Sequence, residues 1–137
     1  MNYRHSLLIG RIGTVLLASL LVGCGGDSVT NPRFQPEISN QTDNFQFQAT
    51  NTRNVTQTVE YTWANTGVQA NVNQATTLTK GSATLVLRDP DGTQVYSRSL
   101  TENGTFVSNA GKTGNWKIRV VISNADGTFN FRVQKKT

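Results

Sequence analysis

Four groups of residues have types and spacing that could do chemistry. Cys24 is the only thiol in 137 residues, and it closes an uncharged run as Leu21-Val22-Gly23-Cys24. Asp89 and Asp91 flank Pro90, and Asp126 sits in a second Asp-Gly stretch. If those stretches meet at one end of a domain, their carboxylates could bind calcium through oxygen. Ordinary Asp-containing turns are the plainer account. Two acids could also suggest glycoside hydrolysis, but nothing around them forms the apolar pocket that would raise one pKa. Trp63, Trp116, Tyr61 and Tyr96 offer flat rings for sugar stacking, and Lys117, Arg119 and Arg132 offer positive charge to an anionic lipid or polymer. No residue is assigned a catalytic role, and no cofactor is called for.

The position of Cys24 bears on processing. Arg4, His5 and Arg11 make a basic start, and Ile12 to Gly23 is apolar or small throughout. At about 12 residues this run is short of the ~20 needed to span a bilayer core. It has the profile of a signal peptide, residues 1–23. Basic start, apolar run, Leu at minus three, Gly at minus one and Cys at plus one together resemble the lipobox of bacterial lipoproteins. The resemblance implies that Cys24 is alkylated by a diacylglyceryl group, becomes the N-terminus on cleavage, and is acylated again, typically by palmitate. Two or three such chains hold a protein at a membrane essentially permanently. Gly25, where an Asp would favour inner-membrane retention, favours the outer membrane in an organism that has two. A bacterial cell-envelope location, facing the periplasm or exposed at the surface, follows.

Cleavage also changes the composition. Arg4, His5 and Arg11 leave with the signal, so residues 24–137 hold 11 Lys+Arg against 8 Asp+Glu, a net charge of +3. That mild excess gives no reason to expect a nucleic-acid partner. The mature chain has no histidine and no free thiol, which removes most catalytic dyads, most zinc sites and any internal disulfide. Residues 24–43, rich in small, polar and proline residues, read as the lipidated N-terminus and a flexible tether, with Phe34 a candidate to dock on the domain.

The elements that would position the remaining groups begin at Asn44, where the pattern takes a period of two. Phe45, Phe47 and Ala49 alternate with polar residues, as do Val55 to Trp63, Ala70 and Val72, Ala83 to Leu87, Val95 to Leu100, Thr105 to Ser108, Trp116 to Ile122, and Phe129 to Val133. Seven or eight short strands, with Gly, Asn and Asp turns between them and no helical period, predict an all-β, single antiparallel β-sandwich over residues 44–137. Asp89-Pro90-Asp91-Gly92 suits a type I turn with Gly at positive φ, placing Leu87 opposite Val95. For Asn124 to Gly127, the hydrophobic register favours a four-residue loop pairing Ile122 with Phe129, Val120 with Phe131 and Ile118 with Val133. Arg119 would then face Arg132. The alternative puts these two strands in different sheets.

The runs Ala83 to Gly92, Gly114 to Val120 and Asp126 to Val133 resemble the jelly-roll modules of the pre-peptidase C-terminal type. Such modules are non-catalytic and accessory to a neighbour. Parity places Trp63 and Trp116 in the core, each indole needing an internal acceptor. Tyr96 has the parity opposite to Val95 and is expected to be exposed. Together these readings predict a lipid-anchored, non-enzymatic accessory or protein-interaction module, with the membrane and an envelope protein as its partners. A ligand-binding module for envelope glycan or calcium is the alternative. Oligomeric state is open.

Overall fold

A computed structural model describes residues 34–137, and these form an all-β structure of seven antiparallel strands. They are β1 (Glu37–Gln41), β2 (Asn44–Asn65), β3 (Ala70–Gln74), β4 (Thr77–Arg88), β5 (Gln94–Ser99), β6 (Gly104–Val107) and β7 (Gly114–Lys135). Cys24 and the signal-peptide expectation lie outside the described residues.

Two strands of 22 residues, β2 and β7, pair with each other from end to end and carry the architecture. Each bends at its middle. On β2 the bend follows Asn51 and Asn54, with φ of 53° and 49°; on β7 it follows Asn124 and Gly127, with φ of 46° and 141°. Asparagine tolerates the left-handed region better than most residues with a Cβ. At Gly127 a Cβ would lie 2.2 Å from the Thr77 carbonyl oxygen, so only glycine fits. The bend is cross-linked between the strands. Thr52 Oγ1 donates to the Gly127 carbonyl at 2.9 Å, and the Asn124 N–H donates to Thr56 Oγ1 at 2.9 Å.

The bend folds one sheet into two facing layers, giving the sandwich-like arrangement expected. The first layer runs β1-β2-β7-β3-β6 and uses the first half of β2 with the second half of β7. The second layer runs β2-β7-β4-β5 and uses the other halves. Asn124 to Gly127 is therefore no hairpin loop: the expected pairing of Ile122 with Phe129 does not form, and the two segments lie in different layers. Phe45, Phe47, Val72, Phe131 and Val133 from one layer meet Trp63, Leu85, Leu87, Trp116, Ile118 and Val120 from the other in one core.

The domain also starts earlier than residue 44. Phe34 is buried, its ring 6.2 Å from that of Phe47 and 6.1 Å from that of Phe129. β1 then pairs with β2 from Glu37 opposite Gln48 to Gln41 opposite Asn44. Residues 34–43 thus belong to the domain, not to the tether. β1 escapes the alternation rule because its five side chains are all exposed; its backbone ladder to β2 and the Asn40 amide hold it.

Candidate interaction surfaces

The Asp89 turn forms as expected. The Gly92 N–H donates to the Asp89 carbonyl at 2.9 Å, and Gly92 has φ of 82°. The Asp89 side chain, only 5% exposed, spends its oxygens on the chain itself. Oδ1 accepts from the N–H groups of Asp91 and Thr93 at 3.0 and 2.9 Å, and Oδ2 from that of Lys112 at 3.1 Å. Asp91 pairs with Lys112, whose ammonium pKa is raised by that hydrogen bond. Asp126 lies at the bend, where its Oδ1 accepts from the Asn54 N–H. It is opposite Lys80, whereas Asp89 follows Arg88, roughly 26 Å further along β4 at strand spacing. The three aspartates do not converge. Among the described residues no three His, Cys, Asp or Glu side chains gather in a metal-holding group.

The tryptophans occupy the core as their parity requires. Their rings meet edge to face with centroids 5.9 Å apart, and each indole N–H finds a carbonyl, Trp63 that of Gln41 at 3.1 Å and Trp116 that of Lys112 at 2.7 Å. Tyr96 departs from expectation. It is buried, at 7% exposure, and its hydroxyl donates to Gln74 Oε1 at 2.8 Å. The reason is a bulge: β5 pairs Tyr96 with Leu87 and Gln94 with Arg88, so Val95 is left over. Tyr96 takes the inward position assigned to Val95. Val95 is buried as well, with Asn109 donating its N–H to the Val95 carbonyl at 2.8 Å. Burial pushes the Tyr96 phenol up to about 12. The exposed stacking aromatic that would have favoured a glycan site is therefore missing at this position.

The three basic residues are likewise separated. Arg119 lies between Glu60 on β2 and Val86 on β4, while Arg132 lies between Gln46 and Asn73 in the other layer and donates to Gln46 Oε1 at 3.2 Å. The expected Arg119–Arg132 opposition does not occur, because it required the hairpin that the bend replaces. Lys117 stays beside Arg119 on the same strand and donates to Thr62 Oγ1 at 2.7 Å. Lys117 and Arg88 are cross-strand neighbours, so the outer face of the second layer carries three cations, Arg88, Lys117 and Arg119, with Glu60 among them.

The two flanks of the sandwich were not singled out from sequence. On one, Gln74 is buried between the layers. Its Nε2 donates to the carbonyls of Ser99 and Glu102 at 2.9 and 2.8 Å while Oε1 receives the Tyr96 hydroxyl. A signal was present: Gln74 continues the inward parity of Ala70 and Val72, and a polar residue in an inward position needs internal partners. On the other flank, among the described residues, β2 from Val55 to Tyr61 pairs with β7 alone, because β1 covers only Asn44 to Gln48. Val59 and Tyr61 are half-buried there. Ile38, opposite Phe47 and on the inward face of β1, is 37% exposed. The lone apolar residue in Glu37-Ile38-Ser39-Asn40-Gln41 marks that inward face in the sequence.

No protein-family model matches the chain, and no curated protein matches it.

Proposed function

We propose that the chain is a lipid-anchored protein of the bacterial cell envelope whose β-sandwich acts as a non-catalytic accessory or protein-interaction module. The observation that carries this reading is the run from Ile12 to Gly23 ending in Leu21-Val22-Gly23-Cys24, with the only cysteine of the chain at its end. The fold supports it in two ways. Among the described residues the packed domain begins at Phe34, ten positions after Cys24. The strands also end in a sandwich with polar outer faces and one open edge, a shape suited to contact with a neighbour. Gly25 favours the outer membrane. Membrane attachment is through Cys24, and the partner is an envelope protein.

The test is acylation. With labelled palmitate the wild-type chain is expected to carry the label and to sediment with membranes. Cys24→Ser should lose both, because each buried methylene contributes about 0.8 kcal/mol to attachment and none remains. A Cys24→Ser chain that still sediments with membranes would sink the anchor.

A further inference from the structure

We infer that the open flank is a strand-addition site, which takes an extended polypeptide segment from a protein partner beside residues 55–61 of β2. The inference rests on the reading of the chain as an interaction module, but not on the anchor. The first warrant is the backbone. Among the described residues Val55 to Tyr61 has a neighbour on one side only, β7. Beyond it the edge closes: Asn40 Nδ2 donates to the Thr62 carbonyl at 2.9 Å and the Asp43 N–H to that of Ala64 at 2.8 Å. An unpaired edge presents donors and acceptors in alternation at strand spacing, and an extended peptide backbone supplies their match.

The second warrant is the lack of defence. Natural edges are shielded by brevity, by lysine or proline, by bulges, or by a covering loop. β6 and β1 are four and five residues long. β5 carries Arg98, and the segment after β6 bonds to it through Asn109 and Val95. Past the bulge between Val55 and Gln57, the stretch Gln57-Thr58-Val59-Glu60-Tyr61 is in regular register and has no Lys, Arg or Pro, and its Thr, Val and Tyr have strong strand preference.

The third warrant is the bed beneath the vacant position. β1 gives the first layer a fifth strand that the second layer lacks, so among the described residues no strand lies opposite the inward face of β1 at Ile38. Ile38 lies open on that face, with Val59 and Tyr61 half-open beside it. Alternate side chains of an added strand would bury all three. Charge then selects among segments. Glu60 flanks this position and makes no hydrogen bond or ion pair among the described residues; Arg119, across from it on β7, is its nearest cross-strand cation. The fitting partner segment alternates apolar and small polar residues and carries Lys or Arg at its ends.

The test uses the full chain in detergent and a labelled probe peptide, Lys-Val-Thr-Val-Thr-Val-Lys. The probe is expected to bind saturably and to slow amide hydrogen exchange across residues 55–61. Val59→Lys, a charge on the inward side of the edge, should weaken binding by about tenfold or more, and Val59→Thr by less than about threefold. If Val59→Lys fails to fold, Ile38→Lys on exposed β1 should weaken binding in its place. Protection elsewhere, or full binding by the folded lysine variants, would overturn the site. A dimer in sedimentation that Val59→Lys dissolves would assign the edge to a second copy. Tenfold tighter binding on deletion of residues 25–33 would assign it to the chain's own N-terminal segment. Either result overturns a foreign partner, and none bears on acylation at Cys24, which fractionation of Cys24→Ser tests separately.

Discussion

The two flanks of the sandwich are built from the same kind of strand and end in opposite states. At the Gln74 flank the layers are joined by a buried polar cluster, with one amide holding two carbonyls and a phenol and with Arg98 lying 4.0 Å over the Phe106 ring at the rim. At the β1 flank the layers meet through half-open apolar side chains and, only at the end of β2, through Asn40, Gln41 and Asp43 bonded to Thr62, Trp63 and Ala64. Alternation alone makes a layer, since it buries one face. Closing the gap between two layers at their margins needs a further device, and this chain spends one on only one side.

The difference makes a steep prediction for Gln74. Gln74→Ala leaves the Glu102 carbonyl and the Tyr96 hydroxyl without their partner, while the Ser99 carbonyl keeps the Glu102 N–H at 3.2 Å, and it opens a cavity. At about 1–3 kcal/mol for each orphaned group, partly relieved by water, the loss should be about 3 kcal/mol or more in denaturant unfolding. A loss below about 1 kcal/mol would mean that water already serves this flank, and the contrast would collapse.

That contrast also marks how much could be read beforehand. The fold class was legible because Phe45-Phe47, Leu85-Leu87, Trp116-Ile118-Val120 and Phe129-Phe131-Val133 each bury one face, and a period of two survives any topology. The turn at Asp89 was legible because proline and glycine fix its geometry locally. Strand length was not. Asn124 to Gly127 has the composition of a hairpin turn, and the same tolerance of positive φ serves a bend in a continuous strand. The choice between them is made by Thr52, Thr56 and Thr77, which are distant in sequence. Tyr96 was misplaced for a related reason, since one bulged residue reverses the parity of a strand. Arg119 and Arg132 went with the hairpin. β1 was missed because it buries no side chain, and one apolar residue, Ile38, is too little to make an alternation.

Titration sharpens the comparison with a smaller effect. Burial raises the phenols of both Tyr96, on the closed flank, and Tyr61, on the open one, but only Tyr96 is carried to about 12. A group whose folded pKa lies above its unfolded value of about 10 supports the fold fully below pH 10. Its contribution falls as the pH rises through 10 to 12, because the unfolded chain ionises first. Stability should therefore drop over that window, and Tyr96→Phe should flatten the drop while itself costing about 1 kcal/mol at neutral pH for the lost hydrogen bond. Tyr61→Phe should leave most of the drop in place. Equal flattening by both variants would show that the flanks are sealed alike.

The smallest expected effect is the most telling for the open flank. Ile38→Thr replaces an apolar side chain on an inward face, a change that in a closed sandwich costs a few kcal/mol. Here the side chain is more than a third exposed and no strand faces it, while threonine keeps the preference for extended backbone. The stability of the free chain should move by less than about 0.5 kcal/mol. The same substitution removes part of the apolar bed under an added strand, so it should weaken the probe peptide even though it spares the fold. A loss of 2 kcal/mol in the free chain would mean that Ile38 is already covered. A residue that matters to binding and not to folding is what a surface kept open for a partner requires.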